Sequence, residues 1–364
     1  MLQFFSHWFK QYFSDQEAVL LMVVLAAGFT ILVTMGSVLA PVLTAIVLSY
    51  LLQGLINTLT RQKVPRAVAF LSTYILFLAS QVAFLFVLVP LTWGQLERLV
   101  NEQLPRLLVE ANVFLSLLPE RYPELVSPDA ARELSSYTTK AVTDVVQSVL
   151  SVSLANFENL MSVLIFLVLV PLLVFFFLKD KDRLIAWAVS FLPEDRPFIS
   201  RVMTEMDTQI SNYVRGKAIE ILICGGVTYI ALVVMGVNYA ALLALLVGLS
   251  VVVPYIGAVV VTIPVAVVAY FQFGLTSEFM WVMIVYTIIQ GLDGNVLVPL
   301  LFSEAVNMHP VAIITAVLVF GGFWGLWGVF FAIPLATLVK AVFSSWPRRE
   351  LPPNSTEWLD IREE

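Results

Sequence analysis

The chain has 364 residues, 60% of them hydrophobic and only 13% charged, with 20 Lys and Arg against 26 Asp and Glu. Ordinary soluble domains carry about 25% charged residues, so this composition and a mean hydropathy of +0.91 exclude a soluble fold and predict a polytopic membrane protein. No basic run suits nucleic acid, and the single cysteine, Cys224, excludes an intrachain disulfide or a cysteine-rich metal site.

The N-terminus intersperses Phe4, Phe5, Trp8, Phe9, Tyr12 and Phe13 with Lys10. It reads as an interfacial amphipathic helix, not a signal peptide, since no short apolar core leads to a small-residue cleavage site. Apolar spans follow at 18–35, 38–56 and 67–93, with a minimal turn at Gly36-Ser37 and a basic loop carrying Arg61, Lys63 and Arg66. Residues 1–93 are thus expected to form the amphipathic helix and a set of scaffold spans.

Residues 94–159 are amphiphilic and punctuated by Pro105, Pro119, Pro123 and Pro128. Leu96, Leu99, Val100, Leu104, Leu107 and Leu108 recur at helical spacing, as do Leu134, Tyr137, Ala141, Val145 and Val149. Glu and Arg alternate as on a solvated helix face, with no catalytic constellation. Residues 160–217 combine a span at 160–178, a stop at Lys179-Asp180-Lys181-Asp182-Arg183, and amphipathic helices up to Lys217. Another span covers 218–235. With the N-terminus in the cytoplasm, fifteen of the 20 Lys and Arg fall inside and the 94–159 region falls outside. The C-terminal tail, 346–364, is then cytoplasmic too.

The second half carries the unusual features. Apolar stretches at 239–273 and 310–343 would each run roughly 50 Å as helices, too long for one ordinary span. Each is broken in the middle. The first break is Pro254-Tyr255-Ile256-Gly257, and the second is the run holding Gly321, Gly322, Gly325 and Gly328. Each is followed by an Ile-Pro pair, at Pro264 and at Pro334, and each is preceded by one full span. This pattern predicts two re-entrant hairpins in units of inverted topology, within a transport core over 218–345. The expected fold is an all-α polytopic membrane protein with about six full spans plus the two hairpins. Eight plain spans are the alternative, which loop charge does not separate.

Between the broken stretches lies a span, 280–302, whose centre reads Gln290-Gly291-Leu292-Asp293-Gly294-Asn295, with Pro299 beyond. A charge at mid-bilayer costs a few kcal/mol or more, so Asp293 marks a working site. The rival reading is a structural carboxylate bonded to Asn295 or to a neighbouring helix. Asp293 and Asn295 suit a cation or a proton, while Gln290 and Asn307 suit a polar solute. Glu304 and His309 stand beside the second hairpin. There His309 either titrates near neutral pH or caps the helix that begins after Pro310. Trp324 and Trp327 either stack on a solute or pack at the interface, and the glycines either serve the solute or allow close helix approach. Nothing in this set calls for a metal or a cofactor, and a single polar centre argues against an enzyme.

Several of these stretches also resemble a known family. Asn212-Tyr213-Val214-Arg215-Gly216-Lys217, Val253-Pro254-Tyr255-Ile256-Gly257, Asp293-Gly294-Asn295-Val296-Leu297-Val298-Pro299, Met308-His309-Pro310 and Ala332-Ile333-Pro334-Leu335 are similar to motifs of the autoinducer-2 exporter family. The resemblance covers nearly the whole chain. It implies a bacterial inner-membrane protein with a two-hairpin transport core, assembled as a homo-oligomer. Named members are linked to export of a quorum-sensing signal, and some relatives to sodium(lithium)/proton antiport. The expectation is therefore a secondary transporter whose partners are the lipid bilayer, a small solute, Na+ or H+, and copies of itself. A channel or a non-transporting scaffold is the rival.

Overall fold

The computed structural model describes residues 16–123, 126–154, 157–254, 256–302 and 308–345, and its regular structure there is helical throughout. The expected N-terminal amphipathic helix and C-terminal tail lie outside the described residues, as do Glu304 and Asn307. In chain order the helices are α1 (Gln16–Arg61), α2 (Arg66–Arg121), α3 (Pro128–Leu154), α4 (Phe157–Lys179) and α5 (Lys181–Val189). They continue as α6 (Pro197–Val234), α7 (Ala240–Ser250), α8 (Ile256–Phe273), α9 (Ser277–Phe302), α10 (Pro310–Phe330) and α11 (Ala332–Ser345). Among the described residues 6 helices are long and apolar enough to cross a membrane, or up to 7 if the bent pair α4–α5 is one span. The chain is a multi-pass membrane protein.

Two spans, Glu17–Gly36 and Val38–Arg61, meet at Gly36-Ser37 as expected, and the junction is a kink at Met35 (φ −116°, ψ 15°) that joins two helices within α1. A Gly-Ser pair with Pro41 shortly beyond is a common cause of such a kink. Two local expectations need correction. First, the helix of the third span does not stop at residue 93. Helix α2 continues for 56 residues, about 84 Å at helical rise, and so extends far beyond an apolar layer of about 30 Å. Pro105 and Pro119, read as punctuation, lie inside it. Second, Pro264, grouped with the first break in the sequence, does not interrupt the chain, because α8 passes through it.

Three of the prolines inside these helices are accommodated in the same way. A proline ring clashes with the carbonyl four residues earlier and lacks an N–H. Wide π-helical turns stand at Phe84–Leu88, Leu99–Gln103 and Asp293–Leu297. Pro90, Pro105 and Pro299 each come two residues after such a turn. The Val89, Leu104 and Val298 N–H groups reach back five residues, to the Phe84, Leu99 and Asp293 carbonyls. One extra residue per turn opens the ladder where the ring must fit.

The chain divides into two compact units. The first comprises Met1–Tyr50, Lys179–Val214 and Glu304–Glu364, the second Leu51–Leu178 and Arg215–Ser303. In the first unit, Glu17 Oε2 accepts the Phe198 and Ile199 N–H groups at 3.0 and 3.4 Å. A carboxylate from α1 thus caps the start of α6, where the helix dipole favours negative charge. Tyr213 donates to the Phe330 carbonyl at 2.7 Å, and Tyr50 donates to Asp207 at 2.8 Å. Within α10 the geometry breaks at Gly325 (φ 59°, ψ −137°), backbone that favours glycine. The chain then folds back so closely that a Cβ on Gly328 would meet the Phe320 carbonyl, and one on Gly321 would come 2.8 Å from Val329. Trp324 lies on Gly36, whose added Cβ would strike the indole.

In the second unit, α7 and α8 pack together around the first break. Gly257 is required there because a Cβ would run into the Ser250 carbonyl. The two halves are unequal: α7 is 11 residues, too short to cross, while α8 at 18 residues is long enough. Helices α6 and α7 cross at Gly225 and Gly248, where a Cβ on Gly248 would stand 3.2 Å from the Gly225 Cα. Two glycines permit that backbone contact. Leu243, Val247, Val265, Val268 and Val282 fill the core behind it. Gln95 of α2 accepts the Leu242 N–H at 2.9 Å. Gln272 of α8 ties down the α6–α7 connection, accepting from Asn238 N–H and donating to the Gly236 carbonyl, each at 2.7 Å.

Candidate functional site

The second unit holds a buried charge cluster. Lys217, Glu220, Cys224 and Thr228 recur at three- and four-residue spacing on α6, so they share one face, and all four are buried. The Lys217 ammonium lies 2.7 Å from Glu220 Oε2, with both side chains no more than 5% exposed. It donates to the Val251 carbonyl at 2.9 Å and stands 5.2 Å from the centre of the Phe302 ring, within cation–π range. Asp293 is within electrostatic reach of Lys217 and of Glu220. One carboxylate therefore contacts the ammonium directly, and a second, on the half-buried Asp293, acts on the pair through its charge.

Each partner has a local cause. Val251 is the first residue beyond α7, where the helix end leaves carbonyls without intrahelical partners. Gly216 lets Phe302 lie against α6, because a Cβ there would come 2.7 Å from the ring. Asp293 opens the π turn before Pro299. Buried charges are tolerated only when paired and hydrogen-bonded, and the break between α7 and α8 provides one of the bonds.

A neutral polar chain runs beside the cluster. The buried Tyr286 hydroxyl accepts from Gln290 Nε2 at 2.8 Å and lies 3.2 Å from Thr262 Oγ1. Tyr286 also lies within electrostatic reach of Cys224, and Thr228 lines a small void with Tyr286. The polar face of α6 and the Tyr286–Gln290–Asp293 face of α9 thus share one region.

The residues singled out from sequence fare differently. Asp293 and Gln290 come together with the cluster. Asn295 does not bond Asp293; its amide donates to the Gly291 carbonyl at 2.8 Å, and Asp293 Oδ1 is buried with no hydrogen-bond partner among the described residues. His309 is exposed and caps α10, accepting the Val311 N–H at 3.3 Å. Trp324 and Trp327 both stack on Phe331, with centroids 6.0 and 6.1 Å apart. Pro254 and Gly257 stand at the first break and Gly325 at the second, with Pro334 in the first turn of α11. Gly321 and Gly322 are helical.

Sequence reasoning missed Glu220 and misplaced Lys217, which it counted as the last charge of a cytoplasmic segment. Lys217 is only 4% exposed, so it does not belong to that count of solvated loop charges. The signal was present: opposite charges three residues apart at the mouth of an apolar run.

Residues 19–348 match a family described as "AI-2E family transporter". The chain is 45% identical over 347 residues to a protein of Escherichia coli (strain K12) provisionally named permease PerM, covering 95% of this chain and 98% of that one. It is 25% identical over 314 residues to a Bacillus subtilis (strain 168) protein provisionally named transport protein YueF, covering 83% and 82% of the two chains.

Proposed function

The chain belongs to the AI-2E transporter family, a family of permeases and not of enzymes, and from that premise we propose that it is a secondary transporter working by alternating access. The observation that carries this reading is the Lys217–Glu220–Asp293 cluster, tied by Lys217 to the carbonyl at the first hairpin break. A change in charge or occupancy at the cluster alters what holds Val251. That is a physical route from solute or ion binding to hairpin movement. The solute class is a small polar molecule, autoinducer-2 or a relative of it, hydrogen-bonded by Gln290, Tyr286 and freed backbone groups. The pairing of each broken segment with a preceding span supports an inverted repeat. Localisation in a bacterial inner membrane with both termini cytoplasmic, and assembly as a homo-oligomer, belong to the same reading.

A second reading is sodium(lithium)/proton antiport. Two carboxylates within reach of one another favour it, since such a pair can exchange a proton for a cation.

The test is transport in proteoliposomes, with wild type beside Asp293→Asn. Counterflow of labelled autoinducer-2 that is lost in the variant is the expected result. Proton flux driven by sodium or lithium and lost in the variant would establish the second reading instead. Equal transport in both proteins would remove Asp293 from the site.

A further inference from the structure

The surroundings of the Lys217 ammonium are those of a metal cation. Glu220 offers a carboxylate oxygen at 2.7 Å, Val251 a carbonyl oxygen at 2.9 Å, and Phe302 the negative face of a ring at 5.2 Å. The carbonyl belongs to the C-terminal end of α7, where the helix dipole is negative. In membrane carriers, carbonyls at broken helix ends are the groups that hold Na+. Asp293 adds a second negative charge within reach, and its Oδ1 is buried without a hydrogen-bond partner among the described residues.

We infer that this is a monovalent-cation site whose resident occupant is the chain's own Lys217 ammonium. The inference rests on reading the cluster as the working site, and it assigns roles to Glu220, Val251 and Phe302 that Asp293 alone does not imply. A tethered ammonium keeps the site neutralised without a dissolved ion, so the native protein has no need of sodium at this position. Shortening the side chain vacates the site and leaves the Glu220 carboxylate and the Val251 carbonyl without the ammonium between them, with Asp293 within electrostatic reach. A small cation is then the group that balances them.

The experiment is thermal melting of the purified full chain, followed by tryptophan fluorescence, in sodium, lithium or choline chloride at equal ionic strength. The wild type is expected to melt at the same temperature in all three. Lys217→Ala is expected to melt lower in choline and to recover by about 4 °C in sodium or lithium. Lys217→Ala/Glu220→Gln, which lacks both charges of the pair, is expected to lose that recovery.

Lys217→Ala and Lys217→Gln are purified in parallel in sodium and in choline. Recovery of folded protein in sodium alone supports the inference, while failure of both variants in both salts overturns it. No selective effect of sodium or lithium on any folded variant also overturns it. So does an effect on the wild type as large as that on Lys217→Ala. These outcomes are independent of the Asp293→Asn transport assay. The cation site can therefore fail while the transport reading stands, and the transport reading can fail while the cation site stands.

Discussion

Lys217 and Glu220 approach to 2.7 Å in the second unit, both nearly inaccessible. Breaking such a pair from one side leaves an unbalanced buried charge, which costs about 3–5 kcal/mol. Glu220→Gln is therefore expected to destabilise the protein by about that amount in a thermal melt. Lys217→Met combined with Glu220→Gln should cost less than the sum of the single changes, by about 1–3 kcal/mol, because each removes the other's partner. An additive result would mean that the two charges do not interact. Tyr286→Phe removes a hydroxyl bonded to Gln290 and close to Thr262, and it should cost about 1–2 kcal/mol. At this scale Asp293 was conspicuous in the sequence because a carboxylate inside an apolar run is costly. Lys217 and Glu220 were not, because they stand at the border where a charged segment passes into an apolar one. Which side of that border a residue occupies is decided by what packs on it.

At Pro90, Pro105 and Pro299 the helix tolerates proline by widening the turn before it. The π turn at Asp293–Leu297 is the case that touches the site. Pro299→Ala removes the steric reason for the wide turn. Absorbing one residue into regular helical pitch rotates the two sides of the turn by about 100° relative to each other. Transport should fall by about tenfold or more, with the melting temperature nearly unchanged. Unaltered transport would show that the turn does not position Asp293. The break between α7 and α8 offers a paired test. Gly257→Ala drives a Cβ into the Ser250 carbonyl and should destabilise by about 1–3 kcal/mol. Pro264→Ala, inside α8, should be close to neutral or stabilising in the same melt. The reverse order would relocate the break. From sequence, Pro264 was grouped with the break that holds Gly257. They differ because a proline ring can sit within a continuous helix, as at Pro264, whereas a Cβ against a carbonyl has nowhere to go.

Over the whole chain, a single cysteine makes a simple gauge of folding. Cys224 is 2% exposed and belongs to the core of the second unit. A water-soluble thiol reagent should leave the folded protein unlabelled and add one label per chain on denaturation, as read by intact mass. Labelling of the folded protein would place Cys224 at an aqueous surface. The sequence by itself determined that the chain is a helical, multi-pass membrane protein, since apolar runs of span length allow nothing else. It also determined that the second half is interrupted and that Asp293 stands out within it, because Gly, Pro and charge are conspicuous against an apolar background. Residues 218–345, read there as one core, contribute to both compact units. Only the tertiary structure decided that Lys217 and Glu220 are interior, and that Val251 and Phe302 close around the ammonium. It alone also separated the breaks at Gly257 and Gly325 from the uninterrupted helix at Pro264. The physical reason is common to all of these. A span's existence depends on its own transfer into lipid, whereas a buried ion pair depends on partners supplied by other helices, far away in the chain.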